Sequence, residues 1–164
     1  MRFFWIALLT LNLNPLNVFA KALDNKGMVP LLSFAVGSFN VQRDKRTAQF
    51  QLEYKFAKDF LYARPMIGAF MTSKSAFYTY LGIGWDLHLS KYLVMTPSFA
   101  PGVYLQGQDK NLGYPLEFRT CLELAYKFSN KARLGAQFYH LSNASISKRN
   151  PGEESLLIFY SYPL

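Results

Sequence analysis

The chain has 164 residues, enough for one domain, with 51% hydrophobic and 17% aromatic residues and a formal net charge of +8. A continuous apolar run occurs only near the start, from Phe3 to Leu13, so no later segment reaches the about 18 apolar residues that a membrane-crossing helix needs. A helical membrane protein is thereby excluded, and a basic balance on an exported chain points to anionic lipid headgroups rather than nucleic acid.

The first apolar run follows Arg2 and ends at Val18-Phe19-Ala20, the small-residue pattern of a secretory signal peptide. Residues 1–20 are therefore expected to be cleaved, leaving 21–164 as the mature domain. Cys121 is the sole cysteine. It cannot form an intramolecular disulfide, and a packing role is expected for it.

From residue 30 onward the chain alternates with period two. Ala48, Phe50, Leu52, Tyr54 and Phe56 interleave with Gln49, Gln51, Glu53 and Lys55. Leu116, Phe118, Leu122, Leu124, Tyr126 and Phe128 interleave with Glu117, Arg119, Glu123 and Lys127. Such alternation is the strand signature. Eight strands are expected, at 30–40, 47–56, 60–72, 76–89, 92–104, 116–128, 132–142 and 154–164. Pro97 and Pro101 each remove a ladder donor, which predicts a bulge or irregularity in the fifth.

The connections alternate in length. Ala57-Lys58-Asp59, Ser90-Lys91 and Ser129-Asn130-Lys131 read as tight turns, whereas 41–46, 73–75, 105–115 and 143–153 are mostly longer and polar. Aromatic residues gather beside the tight turns: Tyr54, Phe56 and Phe60, then Trp85 and Tyr92, then Tyr126 and Phe128. These features predict an all-β fold, an eight-stranded antiparallel transmembrane β-barrel of the outer membrane, with both termini on the periplasmic side. Glu53, Lys55, Arg119 and Glu123 are expected to fill its interior, with His88 facing inward near a periplasmic turn. A soluble ligand-binding barrel would need polar outward faces, which the pattern does not offer.

The chemistry lies near the C-terminus. His140, Ser142 and Glu154 supply a base, a hydroxyl nucleophile and a carboxylate, the groups of a Ser-His-acid ester hydrolase. In the seventh strand His140 and Ser142 share parity with apolar Leu134 and Phe138, and opposite parity to Arg133 and Gln137. In the eighth, Glu154 shares parity with Leu156, Ile158 and Tyr160, and Glu153 does not. All three groups therefore point outward, toward lipid, at the extracellular rim. An ester in a lipid arriving sideways suits that placement. A non-enzymatic small barrel, an adhesin or envelope-stability protein, is the alternative, and it has no use for the cluster.

The segment His140-Leu141-Ser142-Asn143-Ala144, with Asn150, Gly152, Glu154 and the ending Phe159-Tyr160-Ser161-Tyr162-Pro163-Leu164, resembles the lipid A 3-O-deacylase (PagL) family. Leu164 and Pro163 depart from the terminal Phe more usual in such barrels. The resemblance implies an esterase that hydrolyses the 3-position acyl chain of lipid A in a Gram-negative outer membrane, modifying lipopolysaccharide without a cofactor or metal. It implies catalytic roles for His140, Ser142 and Glu154, and an oxyanion-stabilising or substrate-positioning role for Asn150, with Asn143 following the nucleophile. Ser145 stands where some members have Gly. Of the basic residues expected on the extracellular side, Arg43, Lys45, Arg46, Lys74, Lys110, Lys148 and Arg149, the pair Lys148 and Arg149 lies nearest the site. They either meet lipid A phosphates or form a solvated basic rim. Expected partners are lipid A or lipopolysaccharide and outer-membrane lipids, and no nucleic acid; the sequence leaves open whether the homodimer that the family occasionally forms occurs.

Overall fold

The computed structural model describes residues 27–42, 46–58, 60 and 62–164. The expected signal peptide, Arg43 and Lys45 lie outside these residues. The elements in order are β1 (Leu31–Phe39), β2 (Thr47–Lys55), β3 (Arg64–Thr72), β4 (Phe77–Gly84), β5 (Leu87–His88), β6 (Leu93–Leu105), β7 (Leu116–Lys127), β8 (Arg133–Ser142) and β9 (Glu153–Pro163). Every pairing is antiparallel. β1 pairs with β9, and β4 and β5 both pair with β6, so the sheet closes on itself. β4 and β5 are two parts of one stave, giving the expected barrel of eight staves.

The break between β4 and β5 has its cause on the opposite strand. One register runs from Phe77↔Leu105 through Gly84↔Ser98 to His88↔Val94, with no residue inserted. The assigned strand pairing lapses at Leu81–Gly82 and at Trp85–Asp86, which face Pro101–Ala100 and Pro97–Thr96 in that register, although the Trp85 N–H still donates to the Pro97 carbonyl at 3.0 Å. Proline has no N–H to donate there. The irregularity expected at Pro97 and Pro101 is thus a missing donor and a lapse in strand pairing, not a bulge. Both prolines stay in one continuous β6, whose pairing to β7 is unbroken from Leu93↔Tyr126 to Val103↔Leu116.

One strand boundary differs from expectation. The third strand begins at Arg64 rather than Phe60, and the β2–β3 connection is longer than Ala57-Lys58-Asp59. Phe60 and Ala63 exchange two backbone bonds of 2.8 and 2.9 Å around Tyr62, which has φ +63°. This separate tight hairpin tip consumes the residues assigned to the strand start.

Alternation sorts the side chains as the period predicts. Phe34, Phe50, Ile67, Leu122, Leu134, Phe138 and Ile158 stand exposed on the outer wall. Their alternate neighbours Glu53, Lys55, Arg119, Glu123 and Gln137 are buried inside. An apolar exterior around a charged interior is the inverse of a soluble barrel, and suits lipid. These four interior charges form one network: Lys55 bridges Glu53 and Glu123, Tyr80 donates to Glu53 at 2.6 Å, and Arg119 lies over the rings of Tyr80 and Tyr139. Phe39, Phe70, Tyr78 and Tyr104 pack beside this network. Cys121 is buried, as its packing role requires.

The short connections and both described chain ends lie at one end of the barrel, where Leu164 N–H bonds to the Pro30 carbonyl at 3.0 Å. Tyr54 meets Phe56 there at 4.8 Å, and Tyr126 meets Tyr92 at 5.7 Å and Phe128 at 5.0 Å. The loops 106–115 and 143–152 occupy the other end, with His140.

Candidate active site

β8 and β9 present the site. Their register sets His140 directly opposite Glu154. The pair meets on the outer wall at 3.2 Å, His140 Nδ1 to Glu154 Oε1, with the imidazole 43% and the carboxylate 23% exposed. Glu154 is held by its neighbours on both sides of the chain. Its backbone carbonyl accepts the Val41 N–H at 2.8 Å, and the preceding Glu153 points inward and accepts the Asn40 N–H at 3.0 Å. Glu153 is fully buried and also takes the Ser155 hydroxyl. The two adjacent glutamates therefore stand on opposite sides of the wall, and only Glu154 reaches His140, as parity requires.

Ser142 ends β8, two residues beyond His140 on the same face, opposite Phe118 of β7. A neutral His140 that donates from Nδ1 to Glu154 leaves Nε2 as a lone-pair base, and among the described residues no hydrogen bond joins it to the Ser142 hydroxyl. The three groups expected from sequence are thus on one outer surface, His140 and Glu154 joined through strand pairing and Ser142 two residues along the strand from His140.

Beyond Ser142 the chain reverses at once. Ile146 N–H bonds to the Asn143 carbonyl at 2.9 Å, with φ of +50° at Ala144 and +64° at Ser145. Positive φ at both central residues is the type I′ geometry. Ser145, which stands where some members of the resembled family have Gly, adopts the left-handed conformation that a glycine would take freely.

Asn143 anchors this loop. It is fully buried, and its side-chain N–H groups donate to the Leu112 carbonyl at 3.0 Å and the Arg149 carbonyl at 2.9 Å. Its backbone N–H donates to Asn150 Oδ1 at 3.0 Å. With both its amide hydrogens committed, the Asn143 side chain ties loop 143–152 to loop 106–115 and presents no donor to a substrate. Asn150 accepts through its oxygen, which leaves its Nδ2 group as a donor beside Ser142's turn. Gly113, at φ +97°, comes so close to the Arg149 carbonyl that only a residue without a side chain fits. Lys148 and Arg149 are exposed on the same loop.

One participant carries no chemistry of its own, and the sequence assigned it no role beyond its place in the resemblance. Gly152 is buried at φ +57°, and a Cβ placed there would stand 2.6 Å from His140 Cε1 and 3.2 Å from Nε2. The glycine backbone therefore closes against the imidazole edge. Its local signal in sequence is a Pro151-Gly152 pair two residues before Glu154, beside its place in the resemblance.

Comparison with known proteins bears on the same segment. The family model described as Lipid A 3-O-deacylase (PagL) matches residues 89–163, which hold β6 to β9 and every site residue above. The lipid A deacylase PagL of Pseudomonas aeruginosa is 38% identical over 56 residues, 34% of this chain and 32% of that protein. The matched stretch thus spans about a third of that relative's length. The crystal structure of the outer membrane enzyme PagL superposes with a TM-score of 0.66 at 20% identity, over 82% of this chain and 99% of that one. A de novo designed transmembrane β-barrel also superposes, with a TM-score of 0.57 at 12% identity over 82% and 96% of the two chains. These structural likenesses carry the fold alone, since a designed barrel shares it.

Proposed function

We propose that the chain, whose residues 89–163 match the model of the lipid A 3-O-deacylase (PagL) family, is an outer-membrane esterase that removes the 3-position acyl chain of lipid A. Residues 1–20 act as the export signal and 21–164 as the barrel. The observation that carries the proposal is the His140–Glu154 pair at 3.2 Å on the outer wall, with Ser142 on the same face. A buried lumen site would suit a soluble substrate. An outward site at the rim suits an ester embedded in the outer leaflet, with water at hand from the loop side.

In the first step Ser142 Oγ attacks the ester carbonyl carbon while His140 Nε2 takes its proton. Glu154 keeps the Nδ1 proton in place and stabilises the imidazolium that forms. The carbonyl oxygen gains charge, and Asn150 Nδ2 with backbone N–H groups of the turn after Ser142 are the donors disposed to receive it. The imidazolium then protonates the leaving 3-hydroxyl, and the acyl chain remains on Ser142. Water, deprotonated by His140, releases the fatty acid and restores the serine. Lys148 and Arg149 meet the phosphates of lipid A and hold its sugar at the rim.

Mass spectrometry of lipid A from cells producing the wild type or Ser142→Ala is the direct test. Loss of one 3-linked acyl chain with the wild type only is the expected result. Unchanged lipid A in both, with the barrel folded in the membrane, sinks the esterase and favours a non-enzymatic barrel.

A further inference from the structure

The end of the barrel opposite His140 holds a cavity of about 160 Å³, lined by Arg64, Asp86, His88, Lys127, Lys131 and Arg133 with the chain at 27–31. Its charges do not balance. Asp86 is the only carboxylate of the lining among the described residues, and two arginines share one of its oxygens: Arg64 Nη1 at 3.0 Å and Arg133 Nη2 at 2.6 Å. The other Asp86 oxygen accepts the Thr96 hydroxyl at 2.7 Å. Arg64 also donates to the Phe56 and Val29 carbonyls, and Lys131 to the Gly27 carbonyl at 3.1 Å.

Arg133 is left incomplete. It is 6% exposed, and its Nε and Nη1 have no partner among the described residues. Directly across the β7–β8 ladder stands another cation, Lys127. Like charges opposed on one face of a sheet repel, and an orphaned buried guanidinium N–H costs stability. Two costs on one pair of residues, facing a cavity with room for several waters or one five-atom oxyanion, call for an anion between them.

We propose that this cavity is a phosphate-binding site in which Arg133 and Lys127 clamp the oxyanion and Arg64 adds to its field. Phosphate matches a planar guanidinium donating from two nitrogens beside a point-charge ammonium. The ligand is either free phosphate or the headgroup of a phospholipid in the leaflet at that end. The site is separate from the esterase chemistry and does not depend on it.

The test is thermal unfolding of the folded barrel in an uncharged maltoside detergent at constant ionic strength. Inorganic phosphate or dihexanoyl-phosphatidylglycerol is titrated against chloride. Saturating ligand is expected to raise Tm by roughly 5–10 °C, the shift expected when ligand reaches about a hundred times Kd. Lys127→Gln, which breaks no ion pair, is expected to abolish the shift; Arg133→Gln checks the same result if it folds. A response at lower concentration to inorganic phosphate assigns the free anion, and the reverse assigns the headgroup. No shift with either ligand, or an undiminished shift in Lys127→Gln, overturns the site.

Discussion

Replacing Gly152 by alanine tests whether the backbone beside His140 positions the imidazole. The added Cβ would stand 2.6 Å from His140 Cε1, where ordinary contact begins near 3.4 Å, so the ring or the loop must give by about 0.8 Å. The φ of +57° adds about 1 kcal/mol of backbone cost for an L residue. The ring is the easier group to move, because it is 43% exposed and is tethered by its single bond to Glu154. A displacement approaching 1 Å in a catalytic group costs about 10²-fold in rate. The expected outcome is a folded barrel, confirmed by its heat-modifiable gel mobility, whose kcat for lipid A deacylation is about 10²-fold lower. If the loss works through the Glu154 bond, Gly152→Ala must cost far less in a Glu154→Ala background. Wild-type kcat in a folded Gly152→Ala barrel would refute the reasoning, as would fully additive losses in the double mutant.

Four further outcomes follow from the same geometry. Ser142→Ala and His140→Ala each lower deacylation by at least about 10³-fold and Glu154→Ala by less, whereas Glu153→Gln, whose carboxylate faces the interior, leaves kcat within a few-fold; lipid A mass spectrometry with timed sampling separates them. Asn143→Ala strips partners from the Leu112 and Arg149 carbonyls, costing about 1–3 kcal/mol locally; proteolysis within 106–115 and 143–152 should quicken and activity fall. Phe138→Arg sets a charge on the outer wall and costs about 2–4 kcal/mol if it lies near the bilayer midplane; reversible urea unfolding in phospholipid vesicles measures it, and a loss near zero refutes the lipid-facing assignment. Asp86→Asn leaves Arg64 and Arg133 without their shared carboxylate and destabilises by about 3–5 kcal/mol in the same assay.

The barrel was legible because a two-sided wall forces period two on every strand. The parity that sorts Leu134 from Arg133 also sorts Glu154 from Glu153, so the outward set was readable before any coordinates. What alternation cannot carry is contact between segments distant in sequence. Nothing local in Asn143 says that its amide will be spent on Leu112, more than thirty residues earlier. Nor does Pro151-Gly152 announce that the glycine will meet an imidazole. The hairpin tip at Phe60–Ala63 was missed because its apolar residues continue the pattern of the strand they precede. Pro97 and Pro101 were read correctly as missing donors, but the sheet met the loss with gaps opposite them, keeping its register.

The placement of the proposed triad follows from how a small barrel divides its labour. An eight-stave barrel fills its lumen with side chains, so a substrate as large as a lipid has no route inside. The outer wall near mid-membrane is equally closed to chemistry, since an unpaired carboxylate there is expensive. Only the rim combines a lateral approach for an acyl chain with water for the second step. His140 and Glu154 occupy the last paired positions of that face before the loop, and Ser142 lies one outward position beyond. Moving the set two residues toward the membrane centre, to the level of Phe138 and Leu156, keeps parity and pairing but removes the water. Such a transplanted His-Ser-Glu set is expected to acylate poorly and to hydrolyse its acyl-serine more poorly still. Intact-mass measurement of the barrel would detect the accumulated acyl-enzyme, and full turnover from the transplanted set would refute the rim argument.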